Sequence, residues 1–307
     1  MATLSVERFP FRNSFKTSFL YNQERYLAQY EQENLFRCNW VSDGSVLISS
    51  NFHSAGTELL NGKYSSFGGI EYTQEGEKYL EDYIQRLIAW AKEREFDRIS
   101  LKLPCEFYRK QSADLAGILE RNGFSILSTE TNQYIKISKF SYAGIIKKNE
   151  KKRLRKCIDG GFTFKKMSSE QLELAYELIV DTRVRRGFPV SMTLEQLASV
   201  YNLFPDRYLL FGVFDDTRLI AASVSIAVDD RVLYNFYHGD SFSHRTFSPV
   251  VLLLAGVYEY SQAKGFEYLD LGISSVQGEL NRGLFEFKKN CGCESMDKYR
   301  LAKDLKV

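Results

Sequence analysis

The residues of this chain best suited to chemistry lie in its last third. Tyr234-Asn-Phe-Tyr-His-Gly-Asp240 reads as the end of a strand and carries His238 and Asp240. A histidine there, with a reference pKa near ~6.5, suits a general base that takes a proton from an attacking amine, and Asp240 could orient it or meet substrate. In an unbroken strand Asn235, Tyr237 and Gly239 share one side, and Tyr234, Phe236 and His238 the other. Further on, Phe266-Glu-Tyr-Leu-Asp-Leu-Gly-Ile-Ser274 is a short apolar strand ending in Asp270 and Gly272. A helix carrying Lys288 and Lys289 follows and stops at Gly292. The space beyond a strand end, faced by a helix, is where an α/β sheet usually holds a ligand. Each residue also has a plainer reading. A strand-end histidine is often just hydrogen-bonded, Asp270 could cap its loop, and Lys288 could be the solvated side of a helix that packs on Phe285 and Phe287.

Two cationic stretches could grip phosphate. In Lys147-Lys-Asn-Glu-Lys-Lys-Arg-Leu-Arg-Lys156 the better ligands are Arg153 and Arg155, because a guanidinium forks onto phosphate. The same run also fits a solvated helix between domains. Arg245 and Ser248 open a helix at Pro249, whose dipole favours an anion. Arg183, Arg185 and Arg186 make a cationic helix end, for which the dipole is a sufficient structural reason. Five scattered cysteines include Cys291-Gly-Cys293, too tight for a zinc half-site and without a nearby histidine, so no metal is expected.

Periodicity supplies the elements that must position these groups. From Phe162 onward the order is strand (162–166), a helix opened by a Ser168/Gln171 capping box, a helix after Thr193, and strands at 208–215, 219–228 and 232–238. The helix Val250–Lys264 follows, closed by Gly265, then strand 268–271, helix 281–290 and strand 294–301. The first half repeats the end of this order. Phe96-Asp-Arg-Ile-Ser-Leu101 lies over Phe266-Glu-Tyr-Leu-Asp-Leu271 with apolar positions matched, and Gly123 then falls against Gly292 to within about one residue. Upstream, 36–41 and 46–52 read as a hairpin about Ser42-Asp-Gly44. Residues 142–161 read as one bridging helix. The expected domains are thus 1–140, a basic connection at 141–161, and 162–307.

The order β-α-α-β-β-β-α-β-α-β, together with three motifs, resembles the FemABX-like acyltransferases, built from two copies of the GNAT (GCN5-related N-acyltransferase) fold. The motifs are Tyr64-Ser-Ser-Phe-Gly-Gly-Ile70, Arg153-Leu-Arg-Lys156, and Asp270-Leu-Gly272 through Phe287-Lys288. The resemblance implies an α/β (α+β) protein with two tandem GNAT-like domains, each a mixed, mostly antiparallel sheet flanked by helices. It implies transfer of an acyl or aminoacyl group to an amine of a cell-envelope precursor or similar small acceptor, from aminoacyl-tRNA or acyl-CoA, with no tightly bound cofactor. Lys288 would face a phosphate or a developing oxyanion, and Phe67, Gly68 and Gly69 would line substrate. His238, Asp240, Tyr237, Arg245, Ser248, Asp270, Arg153 and Arg155 complete the expected site. One departure is plain. The glycine-rich pyrophosphate turn of ordinary GNAT enzymes is replaced by His244-Arg-Thr-Phe-Ser-Pro-Val250, which disfavours acetyl-CoA in its usual mode.

Bulk properties narrow the alternatives. With 307 residues, 44% hydrophobic and 26% charged, the chain can bury full cores in two domains. A net charge of +2 gives no global field toward DNA or an anionic membrane. The N-terminus lacks an apolar signal region, and the run Val250–Val257 is far short of the ~20 residues that span a bilayer. A cytoplasmic protein with reduced thiols is expected. The rival readings are a degenerate, non-catalytic GNAT pair that binds a nucleotide-linked or lipid-linked precursor, and a tRNA binder built on the basic helix.

Overall fold

The computed structural model describes residues 2–13, 15–30, 32–109, 113–276 and 278–306. The chain divides into two compact units, one of residues 1–131, 277–279 and 297–307, the other of 132–276 and 280–296. In chain order the elements begin β1 (Thr3–Arg8), α1 (Glu24–Leu27), β2 (Leu35–Ser42), β3 (Ser45–Ala55), β4 (Glu58–Asn61), β5 (Glu71–Tyr72), α2 (Leu80–Glu93), β6 (Arg98–Lys102), α3 (Leu115–Arg121) and β7 (Ser125–Lys136). They continue α4 (Tyr142–Ile145), α5 (Lys148–Asp159), β8 (Thr163–Lys166), α6 (Leu172–Arg185), α7 (Leu194–Leu203), β9 (Tyr208–Asp215), β10 (Arg218–Ala227), β11 (Val232–Asp240) and α8 (Pro249–Lys264). The last are β12 (Tyr268–Ile273), β13 (Ser275–Val276), β14 (Glu279–Leu280), α9 (Arg282–Asn290) and β15 (Glu294–Asp304).

In the first unit the strands run β1-β2-β3-β4-β6-β15, with β5 also on β3. Among the described residues of this unit only β4 and β6 pair in parallel, Leu59 opposite Ile99. The β2–β3 turn places Asp43 (φ 47°) and Gly44 (φ 79°) in the left-handed region, the geometry that matches strand twist in a two-residue hairpin. Helix α2 buries Leu80, Tyr83, Ile84 and Leu87, one stripe at helical spacing, against Phe36, Ile48, Phe52, Ile99 and Leu101.

The second unit repeats the plan. Its order is β8-β9-β10-β11-β12-β7, again antiparallel except for one parallel pair, β11 with β12. Helix α8 is apolar nearly all round and buried, with Val251, Leu253, Val257 and Tyr258 packed on Leu209, Phe211, Val213, Leu233 and Leu269. Proline opens it and Gly265 (φ 77°) closes it, as its sequence predicts. The expected capping box of Ser168 with Gln171 is formed, and Thr193 with Gln196 makes a second.

Two expectations differ from the structure. The stretch 142–161 is two helices, because Ile146 and Lys147 are extended and the Lys147 N–H donates to the Asn290 carbonyl at 2.9 Å. Its longer piece, α5, buries Leu154 and Cys157 in the core of the second unit and so belongs to that unit. The unit boundaries also lie elsewhere than at 140 and 162. One falls within β7 after Thr131, and the chain end joins the first unit because Arg300–Asp304 pair with β6.

Candidate active site at the end of β11

Parallel pairing of β11 with β12 stops at Tyr234 opposite Asp270, while β11 continues to Asp240. The separated ends leave room between two strands whose backbone groups are not used on each other. A bulge then re-aims the side chains. The β10–β11 register passes from Ser225 opposite Asn235 to Val224 opposite Tyr237, so Phe236 is an extra residue. Such insertions flip the face of everything beyond them. Strict alternation would have put Asn235 and His238 on opposite faces; instead the Asn235 amide and His238 Nδ1 lie 3.3 Å apart.

Beyond the bulge lies a cavity of about 560 Å³. Its polar wall is Arg153, Arg186, His238, Asp240, Arg245 and Ser248; Phe188, Val250, Leu284 and Phe287 supply apolar surface. Three guanidinium groups against one carboxylate make this wall cationic. Each is held differently. Arg153 Nη1 donates to both oxygens of buried Glu150, at 2.9 and 3.0 Å. Arg186 Nη2 meets Asp240 Oδ1 at 3.1 Å. Arg245 stacks on Phe242, 4.3 Å from the ring centroid.

Asp240 is fixed by α6 as well. Its N–H donates to Thr182 Oγ1 at 2.9 Å, and its carbonyl accepts from Thr182 Oγ1 and Arg185 Nη2, both at 3.0 Å. Burial raises its carboxyl pKa, opposed by Arg186 and Arg185. His238 goes the other way. Burial, then the charges of Lys288, Arg186 and Arg183, push its pKa down to about 3. The amide donated by Asn235 to Nδ1 leaves the ring proton on Nε2, so His238 is a neutral hydrogen-bond donor. A base so weakened has little drive to take a proton from an attacking amine, which speaks against its expected role as general base.

The structure thus brings together Arg153, His238, Asp240, Arg245 and Ser248 from the predicted set. It places the others elsewhere. Lys288 is only 3% exposed and does not line the cavity; its Nζ donates to the carbonyls of Gly272 and Ile273, both at 2.9 Å. Burial pushes its pKa down to about 8. Asp270 Oδ1 accepts from Asn132 Nδ2 at 2.7 Å and Gly272 N at 2.8 Å, tying down the end of β12 instead of facing the cavity. Tyr237 is buried, its hydroxyl accepting from Ser191 N at 3.0 Å. Arg155 is 84% exposed and pairs with Asp159 at 3.5 Å. In the first unit, Phe67 is buried beside Phe19, Tyr21 and Tyr108. Gly69 N donates to Asn61 Oδ1 at 2.6 Å, and a Cβ on Gly68 would overlap the Asn61 side chain. Gly68 borders a hollow of only about 10 Å³, room for about one water.

Sequence reasoning missed Arg186, Asn281 and Leu284. Arg186 was visible as one of three arginines ending α6, but its helix-dipole explanation hid a second role. Phe247, a bulky residue in place of a phosphate-binding glycine, does not block the cavity; its ring packs on Phe162 at 5.0 Å and under the Lys156 ammonium at 4.5 Å.

Comparison with known proteins bears on the fold. Residues 146–289 match the acetyltransferase (GNAT) domain family. No curated relative matches in sequence. Among solved structures the fold is similar to that of FemX, with a TM-score of 0.66 at 13% identity over 87% of each chain. It is also similar to L-PGS from Bacillus licheniformis, with a TM-score of 0.59 at 11% identity over 87% of this chain and 83% of that one. A conserved protein of unknown function from Bacteroides thetaiotaomicron gives 0.58 at 10% identity, over 87% and 86%. Among the described residues no helix is long and apolar enough to cross a membrane. The chain thus carries a match to the GNAT acetyltransferase domain over residues 146–289, and its fold is similar to that of FemX.

Proposed function

We propose that this chain is an N-acyltransferase that moves an acyl or aminoacyl group from a phosphate-bearing ester or thioester donor to an amine. The observation that carries this reading is the cavity at the separated ends of β11 and β12, which three guanidinium groups line together with Asp240 and His238. A cationic wall of this kind suits a polyanionic donor such as aminoacyl-tRNA or acyl-CoA. The acceptor is an amine of a small precursor, of the cell-envelope class under the FemABX-like reading.

In this mechanism the neutral amine attacks the donor carbonyl and a C–N bond forms. The carbonyl electrons move to oxygen and return as the C–O or C–S bond to the carrier breaks. The proton lost by nitrogen passes to Asp240, whose raised pKa makes it the better acceptor, and reaches the departing oxygen or sulfur. His238 donates from Nε2 to substrate. Lys288 acts from behind the wall, fixing the end of β12 and adding positive potential where the oxyanion develops. Neither Phe247 nor Tyr237 plugs the cavity, which favours catalysis over a purely binding role.

Native mass spectrometry against acyl-CoAs and aminoacyl-tRNAs tests the donor half of this reading. The expected result is a 1:1 complex that weakens at least tenfold in Arg245→Gln. Failure of every ester and thioester donor to bind would remove the reading.

A further inference from the structure

The first unit has a second cavity, of about 370 Å³, that no step of the transfer uses. Val6 and Arg8 of β1, Phe36 of β2, Trp90 of α2, and Arg94 and Phe96 just beyond α2 line it. Its apolar side is a cluster of three rings. Phe36 lies 5.7 Å from Trp90 and 6.1 Å from Phe96, and Trp90 lies 5.9 Å from Phe96, centroid to centroid. Its polar side is cationic. Arg8 and Arg94 are both exposed, and the Arg8 guanidinium stands 5.2 Å from the Phe36 centroid. Among the described residues neither arginine forms an ion pair. The nearby Glu7 carboxylate is engaged elsewhere, accepting from the N–H groups of Arg12 and Asn13. A position at the end of α2 accounts for Arg94 through the helix dipole, but nothing of that kind accounts for Arg8.

The strand beside this cavity is a sheet edge. Among the described residues β1 pairs with β2 on one side and with no strand on the other. The Phe9 N–H donates to the Leu35 carbonyl at 3.1 Å, and bonded pairs in an antiparallel ladder recur every second residue. Glu7, Ser5 and Thr3 therefore bond inward to β2, while Arg8, Val6 and Leu4 aim their N–H and carbonyl groups outward. The Leu4 and Val6 side chains pack on the core of the unit, so the open backbone edge runs straight into the aromatic cavity. A free edge of this kind is a template for another extended chain.

We propose that the cavity and the β1 edge together bind the C-terminal end of a peptide. The peptide adds a strand to β1 through Leu4, Val6 and Arg8, its last side chain, apolar or aromatic, enters the ring cluster, and its terminal carboxylate meets Arg8 and Arg94. Main-chain bonds to a sheet edge supply affinity in such binding and the pocket supplies selectivity. The volume is within the range of ligand pockets, and a guanidinium fork matches a carboxylate. With its carboxylate at the Arg8 end, the peptide runs parallel to β1. The site does not depend on the transferase reading.

Isothermal titration of the full chain tests it, with N-acetylated hexapeptides of alternating threonine and valine that end in phenylalanine, leucine or valine. At least one is expected to bind at a single saturating site. Affinity should fall at least tenfold when the terminal carboxylate is amidated, and at least tenfold in Arg8→Gln/Arg94→Gln, whose exposed positions leave the fold intact by circular dichroism. Methylating the peptide nitrogens should weaken binding at alternate residues only. The proposal is overturned if no hexapeptide binds, if acid and amide bind alike, or if the double variant binds as tightly as the native chain. Binding of N-acetylphenylalanine alone as tightly as the hexapeptide would equally overturn it, because the pocket would then take a small acid without strand addition.

Discussion

His238 and Asp240 stand two residues apart on one strand, and their surroundings drive their proton affinities in opposite senses. For His238 the consequence is acid sensitivity. Its folded pKa of about 3 lies below the ~6.5 of the unfolded chain, so above pH ~6.5 both states are neutral and it has no effect. As the pH falls from there toward 3 the unfolded state takes up a proton first, and stability drops by up to about 1.4 kcal/mol per pH unit. Denaturant titrations at pH 6.5 and 4.5 should therefore show His238→Asn losing less stability than the native chain; parallel losses would contradict the burial. Lys288 leads to a different expectation. Its three donors are spent largely on strand-end carbonyls, so Lys288→Ala should destabilise the fold by about 1–3 kcal/mol as well as slow any turnover. An unchanged denaturation midpoint would show that those bonds do not matter. Sequence reasoning saw the polar residues of this site and could not see their environments. Arg153, Asp240 and Arg245 were chosen on chemistry alone and do meet; Lys288 and Asp270 were also chosen on chemistry but face inward, because tying down the end of β12 needs charges as much as catalysis does.

At the scale of elements, the site depends on how closely α6 lies on β11. A Cβ on Gly239 would come within 2.8 Å of Ile179 Cα and 2.9 Å of the Leu178 carbonyl, both backbone atoms of α6. Gly239→Ala should therefore push α6 away, at about 1–3 kcal/mol, and carry Thr182 and Arg186 off Asp240. Calorimetry should show the lost stability, and donor affinity should fall with it; a variant as stable and as tight-binding as the native chain would refute this contact. The periodicities of α2, α8 and the strand pairs were legible because burial repeats every few residues. The Phe236 bulge was not, since one extra residue leaves no mark on hydropathy yet reverses which side chains reach the cavity. The break between α4 and α5 was hidden for a similar reason: it is set by the carbonyl of Asn290, far away in sequence. Helix α5 also separates the two donors. Lys148, Lys151, Lys152 and Arg155 are exposed on it, and an RNA that covered about five such cations would bind with a log–log salt slope of roughly −4. A flat response would point to a small donor.

For the molecule as a whole, the two units keep a common plan. Among the described residues each unit has a single parallel strand pair, Leu59 on Ile99 in one and Leu233 on Leu269 in the other. Of these, Ile99 and Leu269 are positions that the sequence repeat superimposes, and Gly123 (φ 82°) and Gly292 (φ 89°) both turn the chain just after a helix. The two units share this core geometry and differ at their surfaces. In one unit the region after the parallel pair is filled by Asn61 and the Gly62–Gly69 turn; in the other it opens into a cavity of about 560 Å³. The claim that this cavity performs acyl transfer is tested most directly by mass-spectrometric detection of amide product. The purified chain would be given an ester or thioester donor and an amine, alongside Asp240→Asn. The account predicts product from the native chain and a rate at least a hundredfold lower in the variant, with donor binding retained. No amide from any donor that binds, or equal rates in the two proteins, would contradict it.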